Sequence, residues 1–164
     1  ANPGDSAAAL QWSVWAVSGN TPEAAALDPR VDLATLPVRA LTPVLERGAP
    51  WYRLLVGAFA TQQQAESLLV DLRRRRVLGA GSGSVVRAPY ALRVADSLQA
   101  TRAPARVDAL ARQGVPAYVV SRGDGTVAVY AGAFDSPAQA ALLARTLQTA
   151  GVAPVLVFRT GRGP

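Results

Sequence analysis

Cysteine, histidine, methionine, lysine and isoleucine are all missing from this chain of 164 residues. Without histidine or cysteine there is no histidine-based triad, no thiolate nucleophile and no zinc site of the usual ligands. Without lysine there is no Schiff base and no P-loop lysine. The 11 carboxylates are scattered. None stands in an apolar context that would raise its pKa for glycosidase-type acid chemistry. No enzyme, no metal and no cofactor is therefore expected. No apolar run approaches the roughly 20 residues that span a bilayer, so no transmembrane segment is expected in this chain.

What is present is half apolar by composition, which argues against a disordered chain. All 17 basic residues are arginine, and the net charge is +6. The aliphatics are alanine, valine and leucine, a pattern that fits the codon bias of a GC-rich bacterium. Arginines interleaved with aromatics, as in single-strand binders, are not seen, so no nucleic-acid partner is expected. The opening ANPGDSAAA is of the kind signal-peptide cleavage leaves; trimming an initiator methionine gives the same start. The favoured expectation is an exported, periplasmic or otherwise extracytoplasmic protein with a processed N-terminus.

One phrase occurs twice. LVGAFATQQQAESLLVDL and YAGAFDSPAQAALLARTL match without a gap at Gly57/Gly132, Ala58/Ala133, Phe59/Phe134, Leu68/Leu143 and Leu72/Leu147. The spacing of Ala65, Leu68, Leu69 and Leu72 is one helical stripe, as is that of Ala140, Leu143, Ala144 and Leu147. Thr61 and Ser136 stand where N-caps belong, and Pro137 follows at a first helical position. A strand precedes each helix, and SVVRA or APVLVFR follows as another. YALRVADSL, TRAPARVDALARQG and VPAYVVSR give a third strand–helix–strand unit. QWSVWAVSG, TPEAAAL and LPVRALTPVL give a fourth, whose helix is expected to be short because Pro29 and Pro37 break it. ERGAP and RGDG are the expected hairpin turns; the Arg-Gly-Asp triplet at 122–124 is read as part of a turn rather than a recognition motif.

Paired half-units predict an α+β chain of two tandem β-α-β-β-α-β units. Each has a four-stranded antiparallel sheet with its helices on one face. This pattern, with YRLLVGAF and VAVYAGAF as second-half motifs, resembles the SPOR domain of bacterial envelope proteins, twice over. The units cover 11–88 and 89–159, with tails at 1–10 and 160–164. The first-half motifs, VWAVSG and LRVADS, depart from the family pattern at Trp15, Arg93, Val17 and Ala95. The resemblance implies non-catalytic binding of peptidoglycan glycan strands on the helix-free face of each sheet.

Strand alternation assigns the faces. In the first unit Val14, Ala16, Tyr52, Leu54, Val56 and Ala58 are expected to meet helices. Ser13, Trp15, Val17, Arg53 and Leu55 face the other way. Trp15, Val17, Arg53 and Leu55 are candidate protein-interface residues, since the patch is apolar. In the second unit Arg93, Tyr118, Arg122 and Tyr130 are glycan-binding candidates, because flat rings stack on sugars and arginines bond hydroxyls and carboxylates. Two readings stay open. One is a peptidoglycan-binding envelope module. The other is a structural accessory subunit, using SPOR-like sheets to hold protein partners on the periplasmic face of a membrane-embedded complex. The segment ANPGD and the segment TGRGP look like free ends.

Overall fold

The computed structural model describes residues 8–162, and the segment ANPGD lies outside them. In chain order the elements are β1 (Trp12–Gly19), β2 (Arg39–Glu46), β3 (Ala49–Phe59), α1 (Gln62–Arg74), β4 (Ser84–Arg87) and β5 (Tyr90–Gln99). They continue with α2 (Ala103–Arg112), β6 (Tyr118–Ser121), β7 (Thr126–Phe134), α3 (Ala141–Thr149) and β8 (Val155–Phe158). They make two antiparallel sheets with the orders β2-β3-β1-β4 and β6-β7-β5-β8. The repeated phrase thus becomes two equivalent α+β units, here called unit one and unit two.

Local chemistry explains the helix ends. Thr61 accepts from the Gln64 amide, and the Gln64 side chain answers the Thr61 amide, a reciprocal capping box. Arg73 and Arg74 lie in the last turn of α1, where cations complement the exposed carbonyls. Arg73 also bonds the Ser82 and Gly83 carbonyls, so this arginine run braces a loop. Pro137 opens a single 3-10 turn that leads into α3.

The fourth helix does not form. Residues 22–25 make one turn, and Leu33–Thr35 make one 3-10 turn capped by Asp32. Pro22, Pro29 and Pro37 leave no stretch long enough for a stable helix. Unit one therefore carries one helix where unit two carries two.

Strand bulges correct two of the face assignments. Trp15 pairs with Leu55, but Val17 pairs with Leu54, so Ala16 is an extra residue in β1. Val17 swings to the helix side and packs in the core of Val14, Leu54, Val56 and Leu72. Ala58 swings the other way. Gly57 has φ +79 and makes a bulge, and Ala58 joins the cluster on the helix-free face. Gly132, at φ +68, repeats the device, with Ala133 turned likewise.

A β-carbon at Gly132 would lie 2.5 Å from the Phe134 ring, which is fully buried. Gly132→Ala combines that collision with a left-handed backbone, and is expected to cost about 2–3 kcal/mol. A denaturant midpoint unchanged from wild type would contradict this.

The two helix-free faces pack on each other. Leu10, Ala40, Leu55, Ala58 and Ala88 of unit one form one buried cluster with Ala91, Tyr118, Val120, Ala128, Tyr130 and Ala133 of unit two. Many of these are alanines, so the backbones come close. The Ala133 amide donates to the Thr42 hydroxyl across the seam at 3.0 Å. At the hairpin tip, Val44 and Trp51 reach into the helix-side core of unit two. The connection at Ala88–Pro89 is part of the seam: the Ala88 amide bonds Gln11, and the Arg159 amide bonds Pro89. The architecture is helix, sheet, sheet, helices.

The segment expected as a free C-terminal end is placed through Arg162. Ala9 bridges Thr160, and Ser121 bridges Arg162. Residues 159–162 thus run from the β8 edge across unit two to β6.

Candidate functional site

Alternation puts Tyr118, Tyr130 and Arg93 on one face of unit two, and the structure keeps them there. That face is not open to solvent. Tyr130 is fully buried, and Tyr118 is 6 % exposed. Their rings sit 5.9 Å apart at 48°. The Tyr118 hydroxyl donates to the Gly132 carbonyl at 2.7 Å, and the Tyr130 hydroxyl donates to the Thr160 carbonyl at 2.8 Å. Both phenols are thus engaged with backbone rather than presented to a ligand.

Beside them lies a residue to which the sequence reading assigned no role. Arg159 is fully buried at the end of β8. Its Nε donates to the Leu10 carbonyl at 2.8 Å, and Nη2 donates to the Ser13 hydroxyl at 2.8 Å. Ser13 in turn donates to the Gly57 carbonyl. Nη1 makes no hydrogen bond of good geometry. Among the described residues no carboxylate pairs with this guanidinium. Burial pushes the Tyr118 hydroxyl above its ordinary pKa, and the nearby Arg159 charge pulls against that rise. Period-two alternation from Val157 does place Arg159 on the seam face. That signal becomes visible only once the face is known to be covered.

Arg93 and Arg122 stand at the rim. Asp96 receives Arg122 at 2.8 Å and Arg93 at 3.4 Å. Arg122 also donates to the Thr160 hydroxyl at 2.9 Å. Burial raises the Asp96 pKa, but the bonds from Arg122 and from the Ser97 amide, with the charges of Arg122 and Arg93, outweigh it. The carboxyl is held below its usual 3.8. A lowered folded pKa contributes stability that is complete above the unfolded value and is lost as pH falls through the folded one. Between pH 7 and pH 5, Asp96→Asn is therefore expected to lower the urea midpoint by a constant amount. Below about pH 4 the gap to wild type should close. A gap that widens on acidification would contradict the pairing.

In unit one, Leu55 is buried at 3 % exposure and Trp15 is half-buried against the same seam. The Arg53 guanidinium lies 4.6 Å from the Trp15 ring centre and 3.7 Å from the Glu46 carboxylate. Trp15 and Leu55 pack against the other half of the same chain. Val17 lies on the opposite, helix-packed face, so the four interface candidates do not form one patch.

Among the described residues there is no cluster of carboxylates that could hold a metal, and no helix is long and apolar enough to cross a membrane.

Two helix-backed antiparallel sheets built from a duplicated half-unit define a tandem α+β architecture. The SPOR domain family model matches residues 23–88 and again 86–158, and the chain belongs to that family, carrying two SPOR domains in tandem. SPOR domains bind peptidoglycan and occur in bacterial envelope proteins. No curated protein and no solved structure matches the chain.

Proposed function

We propose that the protein is a non-catalytic, exported scaffold of the bacterial envelope, and that it contacts protein partners through surfaces other than its helix-free sheet faces. The observation that carries this is the burial of Tyr130 and Leu55 in one shared core. A glycan strand on either face would have to displace the opposite sheet, at a cost set by the buried apolar area. The departures from the family pattern at Trp15, Val17, Arg93 and Ala95 agree with this reading.

A second reading, glycan binding, is favoured by family membership and by the partial exposure of the Arg93 and Arg122 side chains, at 31 % and 23 %. Sedimentation with amidase-treated sacculi separates the two. The scaffold reading expects wild-type protein to stay in the supernatant while stoichiometric proteins co-purify from native membranes. Pelleting that is lost on combining Arg93→Ala with Arg122→Ala would establish the glycan reading instead.

A further inference from the structure

Four strands lie at a sheet edge: β2 and β4 in unit one, β6 and β8 in unit two. An edge strand offers unpaired backbone N–H and C=O groups, and folded proteins blunt such edges. Three of the four are blunted here. β2 carries Pro43 in its middle, with Arg39 and Glu46 at its ends. β4 is preceded by the Ser82 and Gly83 carbonyls, both taken by Arg73, and it ends in Arg87, which is tied to Gln11. β6 has Arg162 drawn across it, whose amide donates to the Ser121 carbonyl at 2.7 Å.

β8 has no such device. It reads Val-Leu-Val-Phe, with neither a charge nor a proline. Val155 is 49 % exposed, and Leu156, Val157 and Phe158 are half-buried. The Arg159 amide donates to the Pro89 carbonyl, so the backbone of Arg159 faces the β5 side. Antiparallel strands alternate bonded and non-bonded positions. Val157 and Val155, opposite Ala91 and Arg93, therefore bond β5, and the N–H and C=O of Leu156 and Phe158 point outward. Among the described residues no strand lies on that side of β8.

We infer that β8 pairs antiparallel with β8 of a second copy of the chain, about a twofold axis at Val157. In that register Leu156 faces Phe158 of the second copy, and each such pair exchanges two hydrogen bonds. All four outward groups on each copy are then satisfied. Leu156 meets an aromatic ring on the helix side, and Val157 meets its own equivalent on the seam side. A row of backbone donors and acceptors suits an extended strand, and Leu-Val-Phe is its own apolar complement in this register. Each copy has one such edge and the contact is isologous, so assembly stops at the dimer. Four residues a side make a small interface, and a Kd of about 0.1–1 mM follows. The inference goes beyond the scaffold reading and does not depend on it.

Sedimentation equilibrium of the full chain, up to about 1 mM, is expected to show a monomer–dimer equilibrium in that range. Amide NMR shifts on dilution should centre on residues 155–158. In the paired register Val155 lies opposite Arg159 of the second copy. Val155→Lys, at an exposed position that leaves the fold intact, should therefore raise the Kd at least about tenfold. The chain has no cysteine, so Val157→Cys adds a single thiol. Opposite residues at a non-bonded position lie about 4.5 Å apart at Cα, within disulfide reach. Mild oxidation should crosslink Val157→Cys faster than Val70→Cys, although Val70, on α1, is the more exposed residue. A wild type that stays monomeric throughout, or dilution shifts centred elsewhere, would overturn the inference. So would a Kd unmoved by Val155→Lys, or crosslinking at Val157→Cys no faster than at Val70→Cys.

Discussion

Tyr130→Ala is expected to destabilise the entire chain by about 3–5 kcal/mol, the range for deleting a large buried aromatic side chain. The ring is fully buried, and it stands between the two sheets rather than under a helix. Its loss opens a cavity that neither sheet can close alone, and it leaves the Thr160 carbonyl without the phenol. Because the cluster takes side chains from both units, calorimetry should show one transition, lowered as a whole. Tyr130→Phe keeps the ring and loses only the hydroxyl, so about 1 kcal/mol is expected. Two separate transitions in the alanine variant, with one at the wild-type temperature, would show that the units fold independently and that the seam is incidental.

Arg159→Ala should cost about 3 kcal/mol, and Arg159→Met should cost far less. Two effects oppose each other at this position. The guanidinium donates to Leu10 and Ser13, and its stem fills the seam. Removing it leaves a buried carbonyl unpaired, worth about 1–3 kcal/mol, together with a cavity. Against that, a buried charge without a carboxylate partner carries a desolvation penalty of several kcal/mol, which either replacement relieves. Methionine keeps most of the stem volume, so the opposing effects nearly cancel and a value within about 1 kcal/mol of wild type follows. Urea denaturation of both variants checks the order. If methionine proves as damaging as alanine, the hydrogen bonds dominate and the charge is not a burden.

Much of the architecture was legible because duplication writes the same instruction twice. The stripe Ala65, Leu68, Leu69, Leu72 and its copy could be read only as helices, and the glycines between β-rich runs only as turns. Face sorting was legible wherever alternation is unbroken, as at Tyr118 and Tyr130 or at Leu54 and Leu55. It failed at Val17, because the extra residue in β1 is an ordinary alanine that announces nothing. It failed at Ala58 for a different reason: Gly57 inside a strand is itself a bulge signal, and the repeat at Gly132 doubles it. The covering of the faces was not legible at all. Periodicity says which side chains share a side, while what lies over that side depends on contacts between residues far apart in sequence, such as Thr42 with Ala133. The loss of the fourth helix was half legible. The prolines marked a weakened segment, but not that Leu27 and Leu36 would still pack in the core without a helix.

The bridge between Ala9 and Thr160, with the paired bonds between Leu10 and Arg159, brings the two extremities of the described fold side by side. Chain order is then separable from shape. A short flexible link joining those extremities, with a new break in the exposed turn at Gly79–Gly83, should give a circular permutant with the same two sheets. In that permutant β4 would open the chain and lead directly into β5, and β1 would follow β8 through the new link. Such a molecule would show how far the order of the two copies matters once their inner faces have met.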